Sequence, residues 1–537
     1  MLAAREPSPN DGDAERRRIT GRASIVAAGT LASRLLGLVR DQVIAAIFTR
    51  AATDVFFVAL LIPNVLRQLL AEGAVQSAVL PVLTKTREQE GEEAARRYFR
   101  AVRGLSLLVL LAVSVAGVFA APLLVELFAA GFREQAGQFE RTVTLTRWLF
   151  PYILLIGTAA LGVAALNTYK RFTVAAFAPA LLNVALIACA LALPSVLGSH
   201  GWDVVLALAI GTLLGGVLQA VAQWPSLRAI GYLEPPSLDF GHPGVRDTLR
   251  RMGPALFGIG VYFVDVILAR RFLSELDVGS QSYFAWALRL CDFPQGIFVM
   301  ALQTATLPSL ALIVARGEGE ELSKTFAFGL RLALFVGIPA TALVVALGEP
   351  LVVMIFQRGE FDAVASRETA RALIAQGLGI WMVAAVRQLV AVYYAVGDTR
   401  SPVIVAAIDL GVFVAVALGL RGALGHVGIS IAVSAASAVQ MTLLFVGLRR
   451  HLVSLRLGEL GRSSAKTLAS SVIAGAAAVA ALIPLGGALH GGPIARLAPG
   501  LVGCAVFAGV FFAAAHLLKS EELETLFGGL ARRLRRR

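Results

Sequence analysis

Residues 105–128 read "LSLLVLLAVSVAGVFAAPLLVELF", a run whose single charge is Glu126. At a rise of about 1.5 Å per residue, roughly 20 apolar residues cross the hydrocarbon core of a bilayer. A run this long, without the alternation of a barrel strand, is a membrane-spanning helix. It recurs to the far end of the chain, where residues 501–518 read "LVGCAVFAGVFFAAAHLL". The 537 residues are 57% hydrophobic and only 15% charged, with a mean hydropathy of +0.76. A soluble chain carries roughly a quarter charged residues. The expected fold is therefore all-α, a polytopic membrane protein.

Fourteen spans are expected, centred near residues 36, 68, 115, 153, 183, 215, 261, 296, 336, 381, 410, 436, 474 and 506. Lysine and arginine concentrate in alternate connections. Residues 85–103, 449–466 and 519–537 hold six, five and six of them, whereas 195–203 and 486–493 hold none. Basic loops stay on the cytoplasmic side, so an even number of spans with both termini cytoplasmic is expected. The net charge of +13 is then topological and requires no nucleic-acid partner; the basic tail meets anionic membrane lipids. Residues 1–23 lack the apolar core of a signal peptide and read as a disordered cytoplasmic tail. Cys189, Cys291 and Cys504 are far apart in apolar surroundings and read as small hydrophobes.

Two distant segments are close copies. Residues 74–83 read "AVQSAVLPVL" and residues 301–310 read "ALQTATLPSL", identical at six of ten positions with Ser77 replaced by Thr304. At the same offset of 227 residues Phe57 meets Phe284. Six spans fit in that offset, so span 2 corresponds to span 8 and the halves are parallel repeats. The expected organisation is a tail (1–23), an N-terminal lobe of spans 1–6 (24–230) and a C-terminal lobe of spans 7–12 (245–450). Spans 13 and 14 (464–518) and a basic cytoplasmic tail (519–537) follow. The small residues of "SSVIAGAAAVAALIPLGG" (470–487) suit close packing or a groove for a lipid chain.

Charge inside a span costs about 2.5–3.5 kcal/mol on insertion scales and therefore faces a wet cavity or a partner. Span 1 carries Arg34, Arg40 and Asp41. Arg34 and Asp41, seven residues apart, share a face of a regular helix, and Arg40 lies about 120° from Arg34. Gly37 between the arginines is a place for a bend. Asp54 opens span 2, and Arg67 follows Pro63. Arg289 and Asp292 flank Cys291 before Pro294, while Asp265, Arg387 and Asp409 lie in spans 7, 10 and 11. One reading is a set of internal salt bridges, Arg40 with Asp41 and Arg289 with Asp292. The other starts from the excess of guanidinium over acid, which implies an anion. Guanidinium forks match phosphate oxygens bidentately, so that anion would be a phosphate or diphosphate headgroup.

The segments "ASRLLGLVRDQVIAAIF" (32–48), "ATDVFFVALLIPNVLRQLLAEGAVQSAVLP" (52–81), "FPYILLIGTAALGVAALNTYKRFTVAAFAPALLN" (150–183), "MGPALFG" (252–258) and "GDTRSPV" (397–403) together resemble the MurJ (MviN) family. These are lipid II flippases of the multidrug/oligosaccharidyl-lipid/polysaccharide exporter superfamily. The resemblance runs from about residue 24 over nearly all the chain. It implies a bacterial inner-membrane protein that moves the undecaprenyl-diphosphate-linked peptidoglycan precursor from the cytoplasmic to the periplasmic leaflet by alternating access. That activity serves cell-wall synthesis, with cell-wall synthesis proteins as partners. The fold it implies is two six-helix lobes plus spans 13 and 14 as a lipid-tail groove. The family's functional arginines fall here on Arg34, Arg40, Arg67 and Arg289, with Ser33, Asp41, Asp54 and Asn64 in the same motifs. Relatives commonly carry an Asp-Arg pair in span 8, where this chain has Leu288–Arg289 and Asp292 as the nearest acid. Some members bind sodium through acids and an asparagine in spans 7 and 11. Here Asp265 and Asp409 are available for ion coupling, without a nearby asparagine.

Other functions fit less well. A drug/cation antiporter of the same superfamily needs acids in its cavity, and another polyprenyl-linked oligosaccharide is the alternative cargo. A membrane enzyme needs a constellation that is absent from the sequence. The six histidines (His200, His242, His426, His451, His490 and His516) are isolated, and no metal-ligand spacing or nucleotide-binding loop occurs. No cofactor is expected, and a membrane potential or ion gradient is the energy source that remains.

Overall fold

The structure is a computed structural model that describes residues 9–68, 74–296, 300–492 and 494–525. Residues 1–8 of the expected N-terminal tail and 526–537 of the basic tail lie outside the described residues, as do the side chains of Gln76 and Gln303. The regular structure is helical, with no strand among the described residues. The α-helices are α1 (Pro9–Ile47), α2 (Arg50–Arg67), α3 (Ala74–Glu90), α4 (Glu92–Ala129), α5 (Gln138–Leu149), α6 (Tyr152–Thr168), α7 (Phe172–Ser199), α8 (Leu206–Val221) and α9 (Trp224–Ala229). They continue as α10 (Pro243–Ser274), α11 (Ser280–Pro294), α12 (Met300–Ala315), α13 (Gly319–Phe356), α14 (Ala363–Gly377), α15 (Ile380–Ala395), α16 (Arg400–Leu424), α17 (His426–Gly447), α18 (Leu457–Leu482) and α19 (Leu497–Leu517).

The fourteen expected spans fall on these helices, α5–α6 and α14–α15 each forming one span in two pieces, while α2 and α3, and α11 and α12, are separated by residues outside the described ones. Ten candidate spans among the described residues are long and apolar enough to cross a membrane. The other four expected spans are α1, α2–α3, α10 and α11–α12, which carry Arg34, Arg40, Asp41, Asp54, Arg67, Asp265 and Arg289. Helix α1 extends back to Pro9, into the stretch read from sequence as tail.

The duplication is legible in the element bounds. Shifted by 227 residues, Glu92–Ala129 falls on 319–356, the limits of α13, and Arg50–Arg67 ends where α11 ends at Pro294. Helix α7 and α16, and α6 and α15, agree to within two residues at each end. Proline enters several spans, including Pro122 in α4 and Pro339 and Pro350 in α13, whose backbone leaves helical geometry at Leu347 (φ −122°, ψ 19°). Neighbouring helices re-satisfy backbone groups freed in this way.

The chain divides into two compact units, residues 1–47 with 55–263 and residues 48–54 with 264–537. The boundary falls inside α10 rather than before it, because the first turns of α10 pack on α4. Val245 joins a core with Val79, Leu83, Tyr98 and Leu161, and the Tyr98 hydroxyl bonds Thr248 at 2.7 Å. The connection ahead of α10 is strapped to α4 by Arg100 Nε to Pro235 O (3.0 Å), Arg103 Nη1 to Glu234 O (2.9 Å) and Ser237 N to Arg100 O (3.0 Å). Gly104 permits this approach, since a Cβ there would stand 2.0 Å from the Ser237 carbonyl oxygen. In the second unit α13, α18 and α19 share a core of Phe335, Leu347, Phe507 and Phe511. Arg331 of α13 fastens the segment after α19 through Glu522 (2.6 Å), which also accepts from Ser463 of α18 (2.9 Å).

Candidate functional site

In the first unit, α1 and α7 meet around a polar knot. Arg40 donates to Asp41 Oδ1 from Nε (2.9 Å) and Nη2 (2.6 Å), and to Asn183 Oδ1 from Nη1 (2.9 Å). Asn183 Nδ2 in turn donates to the backbone carbonyl of Ser33 (2.9 Å). Asp41 is 3% exposed. Asp41 pairs with its neighbour Arg40, in agreement with the internal salt-bridge reading of these two residues. A guanidinium is long enough to turn around the helix, and Asn183 holds it there. Ser33 contributes its carbonyl to the knot. Arg34, half-buried two turns earlier, has no hydrogen-bond or ion-pair partner among the described residues. Arg67 Nε donates to Asn64 Oδ1 (2.8 Å) on one face of α2.

Asp54 sits in the second unit and is 1% exposed. Its Oδ2 accepts from Gly279 N (2.6 Å) and its Oδ1 from Ser282 N (2.8 Å) and Ser282 Oγ (2.5 Å). Gly279 is the N-cap of α11, at φ 104°, and has no side chain with which to cap the helix. Asp54 supplies that cap from a distant helix. Thr53 joins Ser282 (2.6 Å), and Arg50 reaches both Tyr283 (3.2 Å) and Asp362 (2.5 Å). Beside this junction Arg270 is 8% exposed. It donates to Gln281 O (3.2 Å) and Oε1 (3.1 Å), and Gln281 Nε2 returns a bond to Arg270 O (2.7 Å). Asp54 and Arg289 are its electrostatic neighbours. Arg270 and Asn183 are the polar residues that sequence reasoning missed. The available signal was a polar residue inside an apolar helix, which Asn183 gives in "APALLNVALI" (178–187).

Arg289 and Asp292 are exposed on α11, and Arg387 is half-buried in α15. Arg34, Arg40 and Arg67 belong to the first unit and Arg289 to the second. Asp265 of α10 and Asp409 of α16, both half-buried, interact electrostatically. Asp265 Oδ1 is buried with no hydrogen-bond partner among the described residues. Two carboxylates with an unsatisfied oxygen suit a monovalent cation or a proton. No group of three or more His, Cys, Asp or Glu residues arranged for a metal occurs among the described residues.

Outside the spans, Asp398 caps α16 by accepting from Ser401 Oγ (2.6 Å) and Ser401 N (3.0 Å), and it meets His451 Nε2 at 3.0 Å. The Ser401 bonds, with His451 behind them, hold the Asp398 carboxyl down at about 2. At another loop, burial pushes the Asp203 carboxyl up. The two-pronged bond from Arg141 (2.7 and 3.0 Å) outweighs that, and the net direction is downward.

The family profile described as "Lipid II flippase MurJ" matches residues 43–489. A lipid II flippase MurJ of Burkholderia cenocepacia is 34% identical over 430 residues, covering 79% of this chain and 82% of that protein. A probable lipid II flippase MurJ of Vibrio cholerae is 34% identical over 475 residues, covering 87% and 89%. Among solved structures, a lipid II flippase MurJ in an inward closed conformation superposes with a TM-score of 0.73 at 22% identity, covering 92% of this chain and 99% of that one. An inward-facing MATE family multidrug transporter of the MOP superfamily gives 0.65 at 15% identity, covering 80% and 96%.

Proposed function

The chain belongs to the lipid II flippase MurJ family, and from its site we propose that it carries lipid II from the cytoplasmic to the periplasmic leaflet by alternating access. The observation behind the cargo is Arg34, a half-buried guanidinium in a membrane-spanning helix with no hydrogen-bond or ion-pair partner among the described residues. Such a group is matched by an anionic lipid headgroup, and a diphosphate accepts its fork bidentately. Arg67 extends the binding set within the first unit, with Ser33 and Asn64 in the same motifs, and Arg289 is the headgroup-binding candidate of the second unit. Arg40 and Asp41 hold α1 to α7, and Asp54 caps α11; these three act by positioning. The protein works as a transporter, with no covalent step, in the bacterial inner membrane with both termini cytoplasmic, and it serves proteins of cell-wall synthesis. Asp265 and Asp409 take up a monovalent cation or a proton and couple transport to its gradient.

The test is translocation of radiolabelled lipid II by the purified protein in liposomes, run beside a polyprenyl-diphosphate oligosaccharide of different headgroup. Lipid II should move and the other lipid should not. Equal transport of both would overturn the cargo, and movement by an Arg34→Ala, Arg289→Ala double variant at the wild-type rate would overturn the diphosphate site. Orientation is tested separately: cysteines at Ser199 and Gly491 should react with an impermeant thiol reagent in intact cells, and one at Glu93 should not.

A further inference from the structure

A cavity of about 140 Å³ opens in the first unit between α3, α4, α6 and α10. We propose that it binds an acyl chain of an anionic phospholipid from the cytoplasmic leaflet. Its floor is fully apolar and buried, formed by Val79, Val102, Leu110, Leu161 and Val245. Only two hydroxyls line it, Ser106 and Thr248. Thr248 is already committed, donating to Gly244 O (2.8 Å) and bonded to the Tyr98 hydroxyl (2.7 Å). A buried water needs two to four polar partners, so the site favours a hydrocarbon occupant; an engineered apolar cavity of roughly 150 Å³ stays dry and takes up benzene. This cavity is of that size and accepts a segment of about six carbons on the same scale.

The mouth identifies the source. Val109 and Leu249 line the cavity and are 43% and 52% exposed. Val109 adjoins the outward row of α4, where Leu108, Leu111, Val115 and Phe119 are also exposed within a candidate membrane span. The opening therefore faces bilayer lipid, whose bulk component is phospholipid. Arg246 and Arg250 are exposed on the same turns of α10 as Leu249. They lie at the end of α10 that follows the arginine-fastened connection, the side on which basic residues collect. Each such cation near a membrane surface attracts an anionic headgroup. A chain in the cavity and a headgroup phosphate at the two arginines are compatible with one lipid molecule.

The experiment uses the full chain in liposomes containing phosphatidylglycerol with a photoreactive diazirine in its acyl chain, with adducts mapped by mass spectrometry. Adducts should concentrate on residues 102–110 and 245–252. They should fall at least fivefold in Ser106→Phe, which fills the cavity, while adducts on the exposed face of α16 stay constant. Val109→Trp, which closes the mouth, should do the same and covers the case in which Ser106→Phe does not fold. A phosphatidylcholine probe with the same chain should label severalfold less, and Arg246→Gln with Arg250→Gln should erase that difference. Adducts no denser here than on α16, or unchanged in both filled variants, would overturn the site. Equal labelling by the neutral lipid would overturn the anionic assignment, and preferential labelling by a diazirine-bearing polyprenyl diphosphate would overturn the phospholipid.

Discussion

The helix pair α1/α7 and its repeat equivalent α10/α16 both carry charge into the membrane, and they neutralise it differently. In α1/α7 the charges of Arg40 and Asp41 are closed within the protein, through Asn183 and the Ser33 carbonyl. Shifted by 227 residues, Arg40 meets Ile267 and Asn183 meets Leu410, so the second pair has no such knot. Asp265 and Asp409 stand instead where the first repeat has Leu38 and Leu182, and one oxygen of Asp265 is left without a partner among the described residues. Duplication kept the order of the helices and the bounds of several, α4 and α13 among them, while the charges were set position by position. A closed knot is a structural device. A pair of like charges calls for a cation from outside the protein.

The largest effect should come from Arg34, a span cation without a partner among the described residues. Arg34→Ala should slow lipid II translocation about tenfold to a hundredfold, the equivalent of one charge-assisted hydrogen bond, with no change in the melting temperature of the purified protein. Arg34→Lys should fall between, because it keeps the charge and loses the fork. A melting loss in Arg34→Ala as large as that of a knot variant would place Arg34 in the structural network and dissolve the distinction.

Asn183→Leu removes a partner from both Arg40 and the Ser33 carbonyl, at a cost of about 0.5–1.5 kcal/mol for each hydrogen bond lost. Lower thermal stability in detergent is the expected readout. A wild-type melting curve would show that α1 and α7 are held by packing alone, including the close contact of Gly29 with Ala176, where a Cβ would stand 2.6 Å from the carbonyl oxygen.

Asp265→Asn should behave in the opposite way. It removes a like-charge repulsion, so stability should hold or rise while the dependence of transport on an imposed ion gradient falls severalfold. Transport that remains equally gradient-dependent in this variant would sink the coupling role. A smaller loss is expected from Asp54→Ala, about 0.5–2 kcal/mol, as for other lost helix caps.

The smallest effect lies outside the membrane. The Asp398 carboxyl is held at about 2, below its ordinary value of 3.8. A depressed carboxyl contributes stability above its unfolded value and loses it as pH falls through the folded one. Melting should therefore be insensitive to Asp398 from pH 5 to 8 and decline between about pH 4 and 2, and Asp398→Asn should remove that acid slope.

Sequence alone determined the solvent, the spans, the duplication and the family. Hydrocarbon imposes its length requirement on each helix separately, so the run at 105–128 can be read without its neighbours. The repeat is likewise visible in ten residues of one helix, and its offset locates α13 from α4. Arg34, Arg40, Arg67 and Arg289 stood out for the same reason, since a charge in an apolar run is a local anomaly, whereas Ser33 and Asn64 were named only through the family resemblance. The charges' partners were decided only by the tertiary structure. Asn183 meets Arg40 across 143 residues, and Asp54 meets Ser282 across 228. Arg270 passes for an ordinary helix-end cation until α11 is packed against it. A helical wheel gives the direction in which a side chain leaves its own axis, but which group satisfies a buried charge depends on the helix that packs there, and that is a property of the assembled fold.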